Sequence, residues 1–100
     1  MLWAISCADN PDTAELRETH MRRHRSYLDN RKPVLVLAGA TLTDDGSKPT
    51  GSLFIVNVGT RAEAETFSAD DPFTQAGVFA RITITRMRKS QWNPQAAELA

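Results

Sequence analysis

The segment Leu53-Phe54-Ile55-Val56-Asn57-Val58 carries apolar side chains on both of its faces. Successive side chains of an extended chain alternate, so Leu53 and Ile55 share one face while Phe54, Val56 and Val58 share the other. Such a strand needs cover on two sides. A chain of 100 residues builds one domain around one core, so few elements are available to provide it.

Leu2-Trp3-Ala4-Ile5-Ser6-Cys7 reads as a first strand, stopped at Ala8-Asp9-Asn10-Pro11. Asp12, with Glu15 three residues on, has capping-box spacing and predicts a helix to about residue 29 or 30. At about 100° per residue, Ala14, Arg17, Met21, His24 and Leu28 fall along one core-facing stripe. Val34-Leu35-Val36-Leu37-Ala38 is a second strand, and the polar stretch 41–50, with Asp45-Gly46 and Pro49, reads as a loop. After the third strand, Thr60 and Glu63 repeat the capping-box spacing, and Ala64 and Phe67 form the apolar side of a second helix. Asp70-Asp71-Pro72 breaks it. Residues 78–85 then alternate, with Ala80, Ile82 and Ile84 on one face and Arg81, Thr83 and Thr85 on the other.

The order is β-α-β-β-α-β, the split βαβ pattern of a ferredoxin-like α+β domain with an antiparallel four-stranded sheet. Two helices cover one face of such a sheet. The second apolar face of the third strand therefore predicts a homodimer packed sheet to sheet. Cover by Trp3, or by Trp92 and the tail, is the alternative within one chain.

Several functions are disfavoured. Twelve basic side chains balance twelve acidic ones, whereas a nucleic-acid binder depends on excess positive charge. Arg22-Arg23-His24-Arg25 spreads around a helix, which assigns Arg22 and Arg25 to the solvated face. No apolar run approaches membrane-spanning length, and the first residues lack a basic, then long apolar, leader. The expected location is the cytoplasm. Cys7 is the only cysteine, so it has no disulfide partner, and it is read as a small core residue. Without a P-loop or GxGxxG no nucleotide cofactor is implied. His20 and His24 have i, i+4 spacing but neither an HExxH sequence nor an obvious third ligand, so no metal is expected.

Two polar residues on the helical stripe remain. His24 either satisfies its nitrogens within the core or lines a pocket. Arg17, two turns before it, either binds a substrate carboxylate or pairs with a buried acid. Asp71 before Pro72 is equally a cap signal and a carboxylate available to a histidine.

The sequence resembles the YCII-related family over residues 1–88. Met1-Leu2-Trp3-Ala4-Ile5 is similar to its first strand, and Arg17, His24 and Tyr27-Leu28 resemble its R…H-x-x-x-L helix. Ala38-Gly39 and Gly51-Ser52-Leu53 match the end of its second strand and the start of its third. Asp71-Pro72-Phe73 through Ala76-Gly77-Val78-Phe79 matches its signature D-P-[YF]-x-x-A-G-[LVI]-[FY], the most specific part. Family members often place Arg-Pro before the histidine; here Met21-Arg22-Arg23 stands there. Residues 89–100 form a tail outside the resemblance.

The resemblance implies a dimeric α+β barrel with His24 and Asp71 as the catalytic pair. A dehalogenase related to the family eliminates chloride from a lactone, and muconolactone isomerase has a similar fold in a separate family. The expected activity is thus proton transfer on a carbonyl-containing small molecule, isomerising or eliminating, without a cofactor. Arg17 and Ser52 would hold the substrate's oxygens. Ser52 lies in no Gly-x-Ser-x-Gly elbow and is not read as a nucleophile. The alternative is a non-catalytic dimeric domain that binds a metabolite or supports a partner protein, with His24–Asp71 as a structural pair.

Overall fold

The computed structural model describes residues 1–100. Four strands, β1 (Leu2–Asp9), β2 (Leu35–Leu42), β3 (Pro49–Asn57) and β4 (Phe79–Met87), form one sheet in the order β2-β3-β1-β4, every neighbouring pair antiparallel. Helix α1 (Ala14–Asp29) connects β1 to β2, and α2 (Arg61–Ala69) follows β3. This is the ferredoxin-like α+β order read from the alternating apolar periods. A third helix of one turn, α3 (Pro72–Gln75), stands between α2 and β4, and its four residues are too few to show a period. Pro94–Leu99 forms an exposed 3₁₀ helix in the tail.

The core lies between the sheet and the helices. Trp3, Ile5 and Cys7 of β1 meet Phe54 and Val56 of β3, with Val58, Ala64 and Phe67 completing the cluster. Ile5 faces Phe54 on one side and Ile84 on the other, so the register places one face of each strand in this layer. Tyr27 ties the layer together by donating to the Phe67 carbonyl at 2.9 Å.

Two boundaries differ from the sequence reading. Asp12 does not cap α1: its φ is 57°, a left-handed turn residue, and Thr13 occupies the cap position. The cause is the anchoring of the preceding chain to the start of β4. Asn10 donates its backbone N–H to the Val78 carbonyl (2.8 Å) and its side-chain amide to that of Gly77 (3.0 Å). Thr13 then turns its hydroxyl back to the Asn10 carbonyl (3.1 Å) instead of forward into the helix. The Thr60 cap does form, accepting from Glu63 N–H at 3.1 Å while the Glu63 carboxylate accepts from Gly59 N–H at 2.8 Å.

The expected loop 41–50 is mostly hairpin. Strand pairing continues through Thr41 opposite Gly51 and Leu42 opposite Pro49. Asp45 organises the remaining turn, accepting from the Thr43 hydroxyl (2.6 Å), the Ser47 hydroxyl (2.7 Å) and Ser47 N–H (3.0 Å). These donors, Thr43 first, hold the Asp45 carboxyl down at about 2 against an ordinary 3.8. Its contribution to stability is therefore present above pH 3.8 and lost as pH falls through about 2.

The opposite face of the sheet is only partly covered in the single chain. Leu53, Leu37 and Met87 are exposed, and Trp92 of the tail is itself 57% exposed. Trp3 belongs to the helical side, where it is buried. Trp92 lines a groove of about 500 Å³ on that side with Leu2, Leu37, Ile55 and Met87, so the tail shields only part of the second face of β3.

Gly51 stands where β3 crosses β1 at closest approach. A Cβ built there would lie 2.0 Å from the Cys7 carbonyl oxygen, a backbone atom that cannot swing aside. Gly51→Ala is expected to cost about 1–3 kcal/mol. That is a fall of roughly 5–20 °C in Tm for a domain of this size, measurable by thermal circular dichroism. A Tm within about 2 °C of the wild type would mean that the two strands separate at little cost.

Candidate active site

Two turns of α1 place Arg17 and His24 on the side facing the sheet, with Met21 and Leu28 on the same stripe. Beneath them lie Ala38, Gly39 and Ala40 of β2, Ser52 and Phe54 of β3, and Phe73 of α3, enclosing a cavity of about 230 Å³. His24, Arg17 and Ser52 all line it. Asp71 stands behind His24, only 1% exposed.

The family signature has a local physical reason at Asp71, Pro72, Phe73 and Gly77. Asp71 caps α3, its Oδ1 accepting from Phe73 N–H at 2.9 Å, and Pro72 fills the first helical position, where no donor is needed. Gly77 takes a left-handed φ of 82° just past the helix end. There Gly77 N–H donates to the Thr74 carbonyl (3.2 Å) and Val78 N–H to that of Phe73 (3.1 Å), a Schellman closure. The single turn is thus fixed at both ends, and it carries Phe73 beneath His24.

His24 is constrained in two directions. Its Nδ1 lies 2.7 Å from the same Asp71 Oδ1, and its ring stacks on Phe73 with centroids 3.8 Å apart and planes 2° from parallel. The carboxylate selects the tautomer with the proton on Nδ1. Nε2 is left as the ring nitrogen with no partner in the chain. Asp71 Oδ2 is buried and also without a partner.

Arg17 is engaged on two sides. Its Nε and Nη2 hold both carboxylate oxygens of Asp9, at 2.7 and 2.9 Å. Nη2 also donates to the Gly51 carbonyl (2.8 Å) and the Ser52 hydroxyl (3.2 Å). Its guanidinium lies 5.2 Å from the centre of the Phe73 ring, so Phe73 lies against both Arg17 and His24. Of the two readings of Arg17, the pairing with a buried acid is present, and Nη1 has no bond within the chain. Ser52 is an acceptor for Arg17 here.

Asp9 is the site residue that the sequence reading missed. It looked like the end of a strand; the signal was Arg17 itself, because a buried guanidinium demands a carboxylate. Arg25, assigned to the solvated face, is exposed but also lines the cavity. His20, one turn before His24, is half-buried and contacts the Arg23 guanidinium. Cys7 lies below the site. Burial, and then the nearby charges of Asp71 and Asp9, push its thiol up to about 12 against the opposing effect of Arg17. It stays protonated and is no nucleophile at neutral pH.

Comparison with known proteins agrees with the fold described above. The sequence profile of the YCII-related domain matches residues 1–88. An uncharacterised protein of Haemophilus influenzae is 30% identical over 99 residues, covering 89% of this chain and 98% of its own length. Among solved structures, the 5-chloro-2-hydroxyhydroquinone dehydrochlorinase TftG of Burkholderia phenoliruptrix, in complex with 2,5-dihydroxybenzoquinone, superposes with a TM-score of 0.82. It is 31% identical, covering 90% of this chain and 96% of that one. No helix of the present chain is long and apolar enough to cross a membrane. The extent of the profile match and the likeness to these proteins place the chain in the YCII-related domain family.

Proposed function

We propose that the chain is a small lyase or isomerase that moves a proton on a carbonyl-containing molecule, with His24 as the base and Asp71 as its orienting carboxylate. The observation that carries this reading is the 2.7 Å contact of His24 Nδ1 with Asp71, in a histidine that lines a cavity and has a free Nε2. An imidazole so held accepts a proton at Nε2, and the carboxylate stabilises the imidazolium that forms. Both the proton acceptor and its counter-charge are side chains, so the step requires no cofactor.

In this scheme Nε2 takes a proton from a carbon or hydroxyl conjugated with the substrate's carbonyl. The electron pair moves into the conjugated system. It then either captures a proton elsewhere, which isomerises the substrate, or expels a leaving group such as chloride, which forms a new double bond. Arg17 and the Ser52 hydroxyl, which line the same cavity, would hold the oxygen on which negative charge accumulates. The likeness to a dehydrochlorinase favours elimination from a hydroxylated ring, with lactones as the second class to be tested. In such a ring the carbonyl is that of the keto tautomer: the chlorine-bearing carbon takes up the proton that one hydroxyl loses, and transfer of a second hydroxyl proton to Nε2 then expels chloride and leaves the quinone.

The direct test is chloride release from 5-chloro-2-hydroxyhydroquinone under anaerobic conditions, followed with a chloride electrode. Release at least about 10²-fold above buffer, matched by quinone formation, is expected from a working general base. Buffer-level release, together with no proton exchange into a panel of lactones followed by NMR, would leave His24–Asp71 as a structural pair.

The same reading includes a homodimer formed by the incompletely covered sheet face. Leu37 is 52% exposed and Leu53 37%, in a chain whose two principal helices occupy the other side. Sedimentation should give twice the 11.1 kDa chain mass, and Leu53→Lys should lower it by placing a charge in that face. A single-chain mass that does not change with concentration would remove the dimer.

A further inference from the structure

Three basic side chains line the His24 cavity, and no carboxylate does. Two of the three have a counter-charge behind them: Arg17 has Asp9 and His24 has Asp71. The third, Arg25, is next to His24 in sequence and forms no ion pair. The site therefore contains one cation with no carboxylate in salt-bridge contact, and it stands at the cavity wall.

The surroundings of Arg25 extend this imbalance. A second groove, of about 400 Å³, shares Arg25, Leu28 and Ala38 with the His24 cavity. The groove adds Lys32 and one acid, Asp29, so its side chains remain net positive. The two spaces meet at Arg25, between the second half of α1 and β2. A molecule with its reacting carbonyl at His24 would thus present its far side to Arg25.

We propose that Arg25 is a specificity-determining residue, receiving an anionic substituent of the substrate, a carboxylate or an ionised hydroxyl, at the mouth of the cavity. This rests on the functional reading above and narrows it to anionic carbonyl compounds. A guanidinium suits the task because its planar fork pairs with two oxygens at once and stays charged at every relevant pH. Its exposure allows the charge to act before the substrate is fully enclosed.

The test is a matched pair of probes, 2,5-dihydroxybenzoquinone, an acidic compound, and its uncharged ether 2,5-dimethoxybenzoquinone. Binding is followed at the His24 ring by ¹⁵N-edited NMR in the wild type, Arg25→Ala and Arg25→Lys. The expected result is tighter binding of the dihydroxy compound, lost roughly tenfold or more in Arg25→Ala and partly kept in Arg25→Lys. The dimethoxy compound should change less than about twofold, because it offers no charge to pair. Unchanged binding of the dihydroxy compound by Arg25→Ala, or an equal loss for both probes, would overturn the role of Arg25 and leave the functional reading standing. No response of the wild-type His24 ring to either probe would remove the quinoid substrate class itself, and this inference with it.

Discussion

Replacing His24 with glutamine is expected to lower turnover by about 10²–10⁴-fold, the usual worth of a positioned general base. Glutamine keeps a polar side chain of similar reach but cannot cycle a proton near neutral pH. The substitution also has a structural cost, since it removes the stack on Phe73 at 3.8 Å and the partner of Asp71. Those losses amount to about 1–3 kcal/mol, against a total stability of about 5–15 kcal/mol for a typical domain. Most molecules should remain folded, so unfolding cannot account for a hundredfold loss. The comparison needs kcat and KM for chloride release beside a thermal melt of the same preparation. Turnover within about threefold of the wild type, with an intact melt, would show that His24 is not the base.

The sequence carried the architecture because its signals are long or repeated. The alternation along β4 and the doubly apolar β3 each span enough residues to fix a period, and the Thr60–Glu63 cap is local chemistry that forms wherever the helix starts. Signals of one or two residues fared differently. Asp12 has the composition of a cap, but the hydrogen bonds from Asn10 to Gly77 and Val78 decide its conformation from across the fold. Gly77 is 67 positions from Asn10, beyond the reach of any window. Helix α3 is visible only as Asp-Pro and Gly at its two ends.

The candidate site was legible to the same extent. His24 and Arg17 stood out because charge on an apolar stripe must have a reason. Asp71 was readable as a carboxylate available to the histidine but equally as a cap, because a carboxylate on a turn looks the same whether it faces water or an imidazole, and the family signature favoured it. Asp9, which reaches Arg17 from the end of another strand, was not singled out. Arg25 illustrates the opposite limit. A helical wheel assigns a residue to one face, whereas a long arginine at the margin of that face is exposed and still reaches the cavity.

Substitutions at Asp71 should separate the two tasks that this residue combines. Its Oδ1 receives both Phe73 N–H and His24 Nδ1, so it caps α3 and orients the histidine through one atom. Alanine removes both functions and leaves the His24 nitrogen facing a buried gap. Asp71→Ala is therefore expected to cost about 2–4 kcal/mol, from the lost cap and the unpaired imidazole N–H, a fall of roughly 10–30 °C in Tm. Asparagine is about as good a helix cap as aspartate, and its oxygen still accepts from both donors. It lacks the negative charge that stabilises an imidazolium. Asp71→Asn should thus keep the melt within about 5 °C of the wild type and lose about 10²–10⁴ in kcat. Added to His24→Gln, it should cost almost nothing further, because two residues that act as one unit are not additive. Full activity in Asp71→Asn, or independent losses that multiply in the double variant, would mean that the carboxylate serves the helix alone. The free energy of the buried contact would then belong to folding, and His24 would have to work without it.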